Sequence, residues 1–269
     1  MAEDGAARAY WALLRGHARG QMSYRLSFTV DLLTNVSATA LDVFTILVLF
    51  TVTRTIGGFD LRSALVVNCL TACAFALADL LVGNIERIKA YVRTGLFDAV
   101  LVRPLGALPQ LLLMDMPIRK ISRGLFGLGV YVVALALADI HWTPARAALA
   151  VVAPLGAIGF FAAVFVGTAS VAFWWTESGE IGNAFTYGGR DFTSYPVNIY
   201  SGWFRDVFAY GLGFAFVAYY PALALLGRTD PVGLPGWVGW IAPAVALPAL
   251  AVAGLVWRVG VRNYRSTGS

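Results

Sequence analysis

Long apolar runs separated by short polar or charged stretches set the pattern of this chain. Six of them approach or exceed the ~20 residues a helix needs to cross a hydrocarbon core. They predict an all-α polytopic membrane protein with six transmembrane helices, over about residues 26–53, 63–83, 119–139, 147–174, 206–226 and 237–257. The first and fourth are longer than a crossing requires and are expected to tilt or to run past the bilayer. Arg119, Lys120 and Arg123 crowd the start of the third. The apolar stretch 105–118 before it is broken by Pro109 and Pro117, which places it at the interface. Pro243 and Pro248 predict a kink in the sixth.

Composition agrees with this class. Of 269 residues, 59% are hydrophobic and 13% charged, and the mean hydropathy is +0.71. A soluble domain is nearer half apolar and about a quarter charged. Disordered chains are polar and charged, so disorder is excluded. The two cysteines, Cys69 and Cys73, sit in one apolar run and exclude a disulfide scaffold. They have no His or carboxylate at ligand spacing, so packing is their expected role.

Charge sets the expected orientation. Of the 20 basic residues, 16 fall in segments 1–25, 84–123, 175–205 and 258–269, and Arg54, Arg62, Arg146 and Arg228 fall in the alternate loops. The positive-inside bias then puts both termini in the cytoplasm. It also accounts for the basic excess without a nucleic-acid partner. Residues 1–25 form an expected interfacial helix, with Arg8, Arg15 and Arg19 beside Tyr10, Trp11, Leu13 and Leu14. They have no apolar core of the kind a cleaved signal needs. Residues 26–257 make up the six-span domain and 258–269 a cytoplasmic tail. No segment outside the spans is long enough to bury a core of its own.

Polar residues within the spans are the candidate path. Asp31, Asn35, Ala38, Asp42 and Thr45 share one face of the first span, and Asn68 and Asp79 fall eleven apart in the second. Intramembrane carboxylates are costly. With no Lys or Arg in the core of any predicted span to pair with it, Asp42 is expected to be protonated, hydrogen-bonded or hydrated. The stripe is either the wall of a transport path or an interhelical hydrogen-bond seam. Asp31 and Asp79, near the cytoplasmic ends, are expected to be wet. The glycines at 124, 127 and 129, and the Gly159–Ala163–Gly167 ridge, predict close helix packing within or between subunits.

Catalytic signatures are missing. There is no HExxH, GxSxG or phosphate-binding GxxxxGK[ST] string, and the two Lys, Lys89 and Lys120, follow Ile and Arg. The chain is therefore expected to bind no cofactor and to lack ATPase chemistry of its own.

The segment 84–104, NIERIKAYVRTGLFDAVLVRP, predicts a cytoplasmic docking element. Ile85, Ile88 and Val92 form its apolar edge, with Glu86, Arg87, Lys89 and Arg93 on the wet one. Gly95 breaks the helix, a second amphipathic turn follows over Leu96–Val102, and Arg103-Pro104 ends it. The alternative is an interfacial connector.

Gly95-Leu96-Phe97-Asp98 with Leu101-Val102-Arg103-Pro104-Leu105 resembles the G-x-x-D-x-x-L-x-R-P-L signature of permeases of the type V (ABC-two) bacterial exporters. Tyr195-Pro196 to Tyr200, and Phe214-Ala215-Phe216-Val217 with Tyr219-Tyr220-Pro221-Ala222, are similar to the YP-x-x-IY and YYPA pattern of one subgroup. Ser201-Gly202 depart from it. The resemblance covers about residues 20–260. It implies a permease subunit of an ATP-driven exporter in the bacterial cytoplasmic membrane, moving a hydrophobic or amphipathic drug, antibiotic, lipid or glycan. It implies two copies of a separate ATPase, which bind the ATP and Mg, and a second permease, a paralogue or a second copy. Glu86, Arg87, Arg93, Gly95, Asp98, Arg103 and Pro104 then fall in the coupling helix that docks the ATPase. The first, second and fifth spans line the path, with Asp31, Asn35, Asp42, Asn68, Phe208, Phe214 and Tyr219 as candidates. The competing reading is a membrane-embedded lipid-modifying enzyme using Asp79, Glu86, Asp98 and nearby Arg. Metal-carboxylate spacing is absent for it.

Overall fold

The computed structural model describes residues 25–113, 120–175 and 177–264, all helical apart from turns and an isolated Ile56–Phe59 bridge. The interfacial helix expected over 1–25, the start of the third span at Arg119 and the last tail residues lie outside the described residues. So do the side chains of Asp31 and Asn35.

Among the described residues twelve α-helices follow in order. They are α1 Arg25–Val52, α2 Leu61–Val82, α3 Ile88–Arg93, α4 Leu96–Leu101, α5 Ala107–Leu113, α6 Ile121–Leu137, α7 Pro144–Ser170, α8 Gly179–Thr193, α9 Gly202–Arg205, α10 Tyr219–Leu226, α11 Val238–Ile241 and α12 Ala246–Asn263. Tight 3-10 turns join α2 to α3 over Gly83–Arg87 and α11 to α12 over Ala242–Val245. The second of these lies at Pro243, where a kink was expected; the missing proline N–H interrupts the ladder there.

Contacts define two ends of the bundle. At one end, the loop after α1 meets later loops. Asn198 Nδ2 donates to the Gly57 carbonyl at 2.6 Å and Arg228 Nη2 to the Gly58 carbonyl at 2.6 Å, and Arg62 pairs with Asp139 at 3.4 Å. At the other end, Phe97 packs on Phe173 and Tyr264, with ring centroids 5.3 and 4.9 Å apart. Three helices are long and apolar enough to cross a membrane, Leu61–Arg93, Pro144–Phe173 and Val238–Asn263, or four if a bent pair counts as one span.

That pair is Gly202–Gly211 with Phe214–Leu226, bent by 62°. It departs from the continuous span expected over 206–226. Gly213 takes φ +86° at the bend, a left-handed backbone that suits glycine. Asn198 before the pair and Arg228 after it both lie at the Gly57 end. Residues 202–226 are therefore a hairpin that enters the bundle and returns. α8 begins against Lys89 and ends level with Thr71, part-way along α2, and the chain after it reaches Asn198 beside Gly57.

Helix packing uses the predicted small residues. A Cβ on Gly159 would stand 3.1 Å from the Ala246 Cβ, and one on Gly127 3.1 Å from the Cys73 Cα. The glycines thus let α7 approach α12 and α6 approach α2 within one subunit. Cys69 and Cys73 are buried free thiols.

Candidate docking site and translocation wall

The docking segment folds along the edges its sequence predicts. Ile85, Ile88, Val92, Phe97 and Val100 are buried, and Arg87, Arg93, Leu96, Val102, Arg103 and Pro104 are exposed. Gly95 takes φ +72° ahead of α4, which turns the chain between α3 and α4. Glu86 faces inward instead of out, with the Tyr187 hydroxyl 3.5 Å from its carboxylate. Asp98 is half-buried beside Tyr264. Burial, and then the Asp98 carboxylate, hold the Tyr264 phenol above its usual range.

Sequence reasoning missed Gln110, which holds this segment down. Its side chain is completely buried, and Nε2 donates to the Val100 carbonyl at 3.1 Å and the Leu105 carbonyl at 2.9 Å. One amide thus satisfies acceptors at the end of α4 and in the Arg-Pro-Leu turn. The signal, a lone Gln within the apolar 105–118 stretch, was visible. Beside α3 a cleft of about 250 Å³ is lined by Lys89, Ala90 and Arg93 on one wall and Glu177, Gly179 and Glu180 on the other.

The polar residues at depth are mostly paired. Arg190 donates to the Asp42 carboxylate, so the expectation that Asp42 lacks a basic partner is wrong. Its partner sits on α8, which was read as an extramembrane loop. Asp79 is not wet: its side chain is 4% exposed, with Lys120 at 2.5 Å and Arg123 at 3.5 Å. The Arg190 and Arg123 guanidiniums lie 5.4 and 5.9 Å from the centre of the Phe75 ring. Two cations on one desolvated ring are each worth up to about 2 kcal/mol. This cluster ties α1, α2, α6 and α8 together.

The other path candidates separate. Asn68 is 3% exposed and its Oδ1 has no partner. Phe208 and Phe214 stack at 6.4 Å, and Phe214 is buried against Phe160 and Phe192. Tyr219 lies at the Gly57 end, buried on Phe59, with its hydroxyl donating to Asp230 at 2.9 Å. Tyr220 donates to the other Asp230 oxygen at 3.2 Å. These two tyrosines clamp the loop beyond the hairpin.

The exposed side of α8 was not anticipated. Glu180, Ala184, Tyr187, Gly188 and Asp191 are exposed along it, while Thr186, Gly189, Phe192 and Thr193 face inward. Depth follows from its partners. Asp42 is ten residues from Val52, and Thr71, which donates to the Thr193 carbonyl, is ten from Leu61. At 1.5 Å per residue both lie about 15 Å below the Gly57 end. Asp191 is therefore near mid-depth, with its side chain 71% exposed and 3.6 Å from Arg190.

A family model described as ABC-2 family transporter protein matches residues 36–268. The match spans most of the chain, and the chain belongs to that family. It is accordingly a multi-pass membrane protein and a permease component of an ABC transporter, the membrane part rather than the ATPase, and it associates with an ABC ATPase. Neither the curated proteins nor the solved structures yield a match.

Proposed function

We propose that this chain is the permease subunit of an ATP-driven exporter of hydrophobic or amphipathic molecules in the bacterial cytoplasmic membrane. The observation that carries the reading is the docking segment: an apolar edge buried in the bundle, with Arg93, Leu96, Val102, Arg103 and Pro104 presented outward. The adjacent cleft, basic on one wall and acidic on the other, suits a partner surface bearing both charges. Two ATPase copies bind ATP and Mg, and their closure drives the docking segments of two permease subunits together. Movement there passes through Phe97, Phe173 and Tyr264 to α7 and α12, and through Glu86 and Tyr187 to α8.

The six crossings are then α1, α2, α6, α7, α8 and α11–α12, with both termini cytoplasmic and the 202–226 hairpin entering from the outer side. An exposed carboxylate at mid-depth cannot face acyl chains, so the Asp191 side of α8 faces the second permease or the aqueous path between the two. Tilting α8 against α1 would open or close that path.

Co-expression with an ABC ATPase and detergent pull-down at several salt concentrations tests the assignment. The wild-type complex is expected to co-purify and hydrolyse ATP. Arg93→Glu and Val102→Asp, both exposed, should weaken capture, and Arg93→Glu should also lessen its salt dependence. Full capture of both variants would move the interface elsewhere.

A further inference from the structure

We infer that the exposed face of α8 selects amphipathic cations, with Asp191 as the charged contact; this rests on the permease reading above. Glu180 and Asp191 are eleven residues apart, so they share a face and stand about 16 Å apart along the axis. Glu180 belongs to the cleft at the docking end, and Asp191 lies at mid-depth. Arg190 is the one Lys or Arg between them in sequence. The one cation beside Asp191, Arg190, is turned inward with its side chain 14% exposed, and it is paired to Asp42. Asp42, Arg190 and Asp191 together carry one net negative charge, and the exposed member is the carboxylate.

The space next to this charge is open. A Cβ on Gly188 would meet nothing within 4 Å. An aromatic panel flanks it, with Phe185 stacked on Phe208 at 6.3 Å and Phe204 tilted by 30° against Phe208 at 4.6 Å. Phe185 and Phe204 are exposed. Aromatic faces attract cations and accept apolar bodies, and a carboxylate in reduced dielectric favours a positive ligand over a neutral one. A delocalised cation with an apolar body satisfies both. An anion of the same shape meets the net negative charge.

The test uses the full permease–ATPase complex in lipid nanodiscs. Basal ATP hydrolysis by the wild-type complex tests the permease reading; its absence would remove that reading and this inference with it. Tetraphenylphosphonium and tetraphenylborate, close in shape and opposite in charge, then probe the α8 face. The phosphonium is expected to bind and to change hydrolysis, and the borate is not. Asp191→Asn should weaken phosphonium affinity by about tenfold or more, the size of a lost charge-assisted contact, and Asp191→Glu should restore most of it. Gly188→Leu, which fills open space without a clash, should block the response and serves where Asp191→Asn assembles poorly. An equal response to both ions, or an unchanged phosphonium affinity in Asp191→Asn and Gly188→Leu, would overturn the inference. A basic residue of a second permease cross-linking to Asp191 would overturn it too, by making that face a subunit contact.

Discussion

Arg190 on α8 donates to the Asp42 carboxylate on α1, joining positions 148 residues apart in the middle of the bundle. The side chains are 14% and 25% exposed, so neither charge is well hydrated. Removing one partner leaves the other charge stranded, at a cost of about 3 kcal/mol. Asp42→Asn and Arg190→Gln are each expected to lower the thermal unfolding midpoint in detergent. The Asp42→Asn/Arg190→Gln double variant should lose less stability than the two single losses added together. Additive losses in that cycle would show that the pair is not coupled.

Gln110 makes a second, independent demand. Gln110→Leu keeps the volume but leaves the Val100 and Leu105 carbonyls without their donor. About 1–3 kcal/mol of local stability should be lost, and α4 with its Arg-Pro-Leu turn should loosen. ATPase capture is expected to fall while the rest of the bundle unfolds at nearly its normal temperature. Faster amide exchange limited to residues 96–110 would be the direct sign. Unchanged capture and exchange would mean that the buried apolar edge alone positions the segment.

The Gly57 end offers a pH test. Burial pushes the Asp60 carboxyl up, but the Ser63 hydroxyl at 2.6 Å, backbone N–H groups and Arg228 outweigh it, and the net shift is downward. A carboxyl with a depressed folded pKa stabilises above its unfolded value and loses that contribution as pH falls through the folded one. The wild type should therefore unfold at a higher temperature than Asp60→Asn at about pH 7, and the difference should shrink progressively as pH falls below about 4. A gap that persists in acid would assign the contribution to Arg228 stacked on Phe59 at 4.8 Å.

Much of the docking segment was legible because its code is local. The 3.6-residue spacing of Ile85, Ile88 and Val92, the glycine at 95 and the Arg103-Pro104 stop each act within a turn or two. The glycine ridges were legible for a similar reason, since closeness of approach depends on side-chain size alone. α8 was not. Its charges and glycines read as a loop, and nothing within residues 179–193 states that Arg190 has an acid waiting on α1. Hydropathy scores a residue as if it met lipid, and Thr186, Arg190 and Thr193 meet protein instead. The hairpin failed in the opposite way: 206–226 is apolar enough to cross, yet its ends are tied to the same loops.

The sequence by itself determined an apolar, helical, membrane-embedded chain with an amphipathic segment at 84–104, because composition and short-period patterns follow from solvent and helix geometry, and its motifs resembled those of ABC-two permeases. Only the tertiary structure decided where the 202–226 stretch bends, which charges pair and which face of α8 stays open. Those outcomes depend on pairing residues more than a hundred positions apart, and long-range pairing leaves no period in the chain.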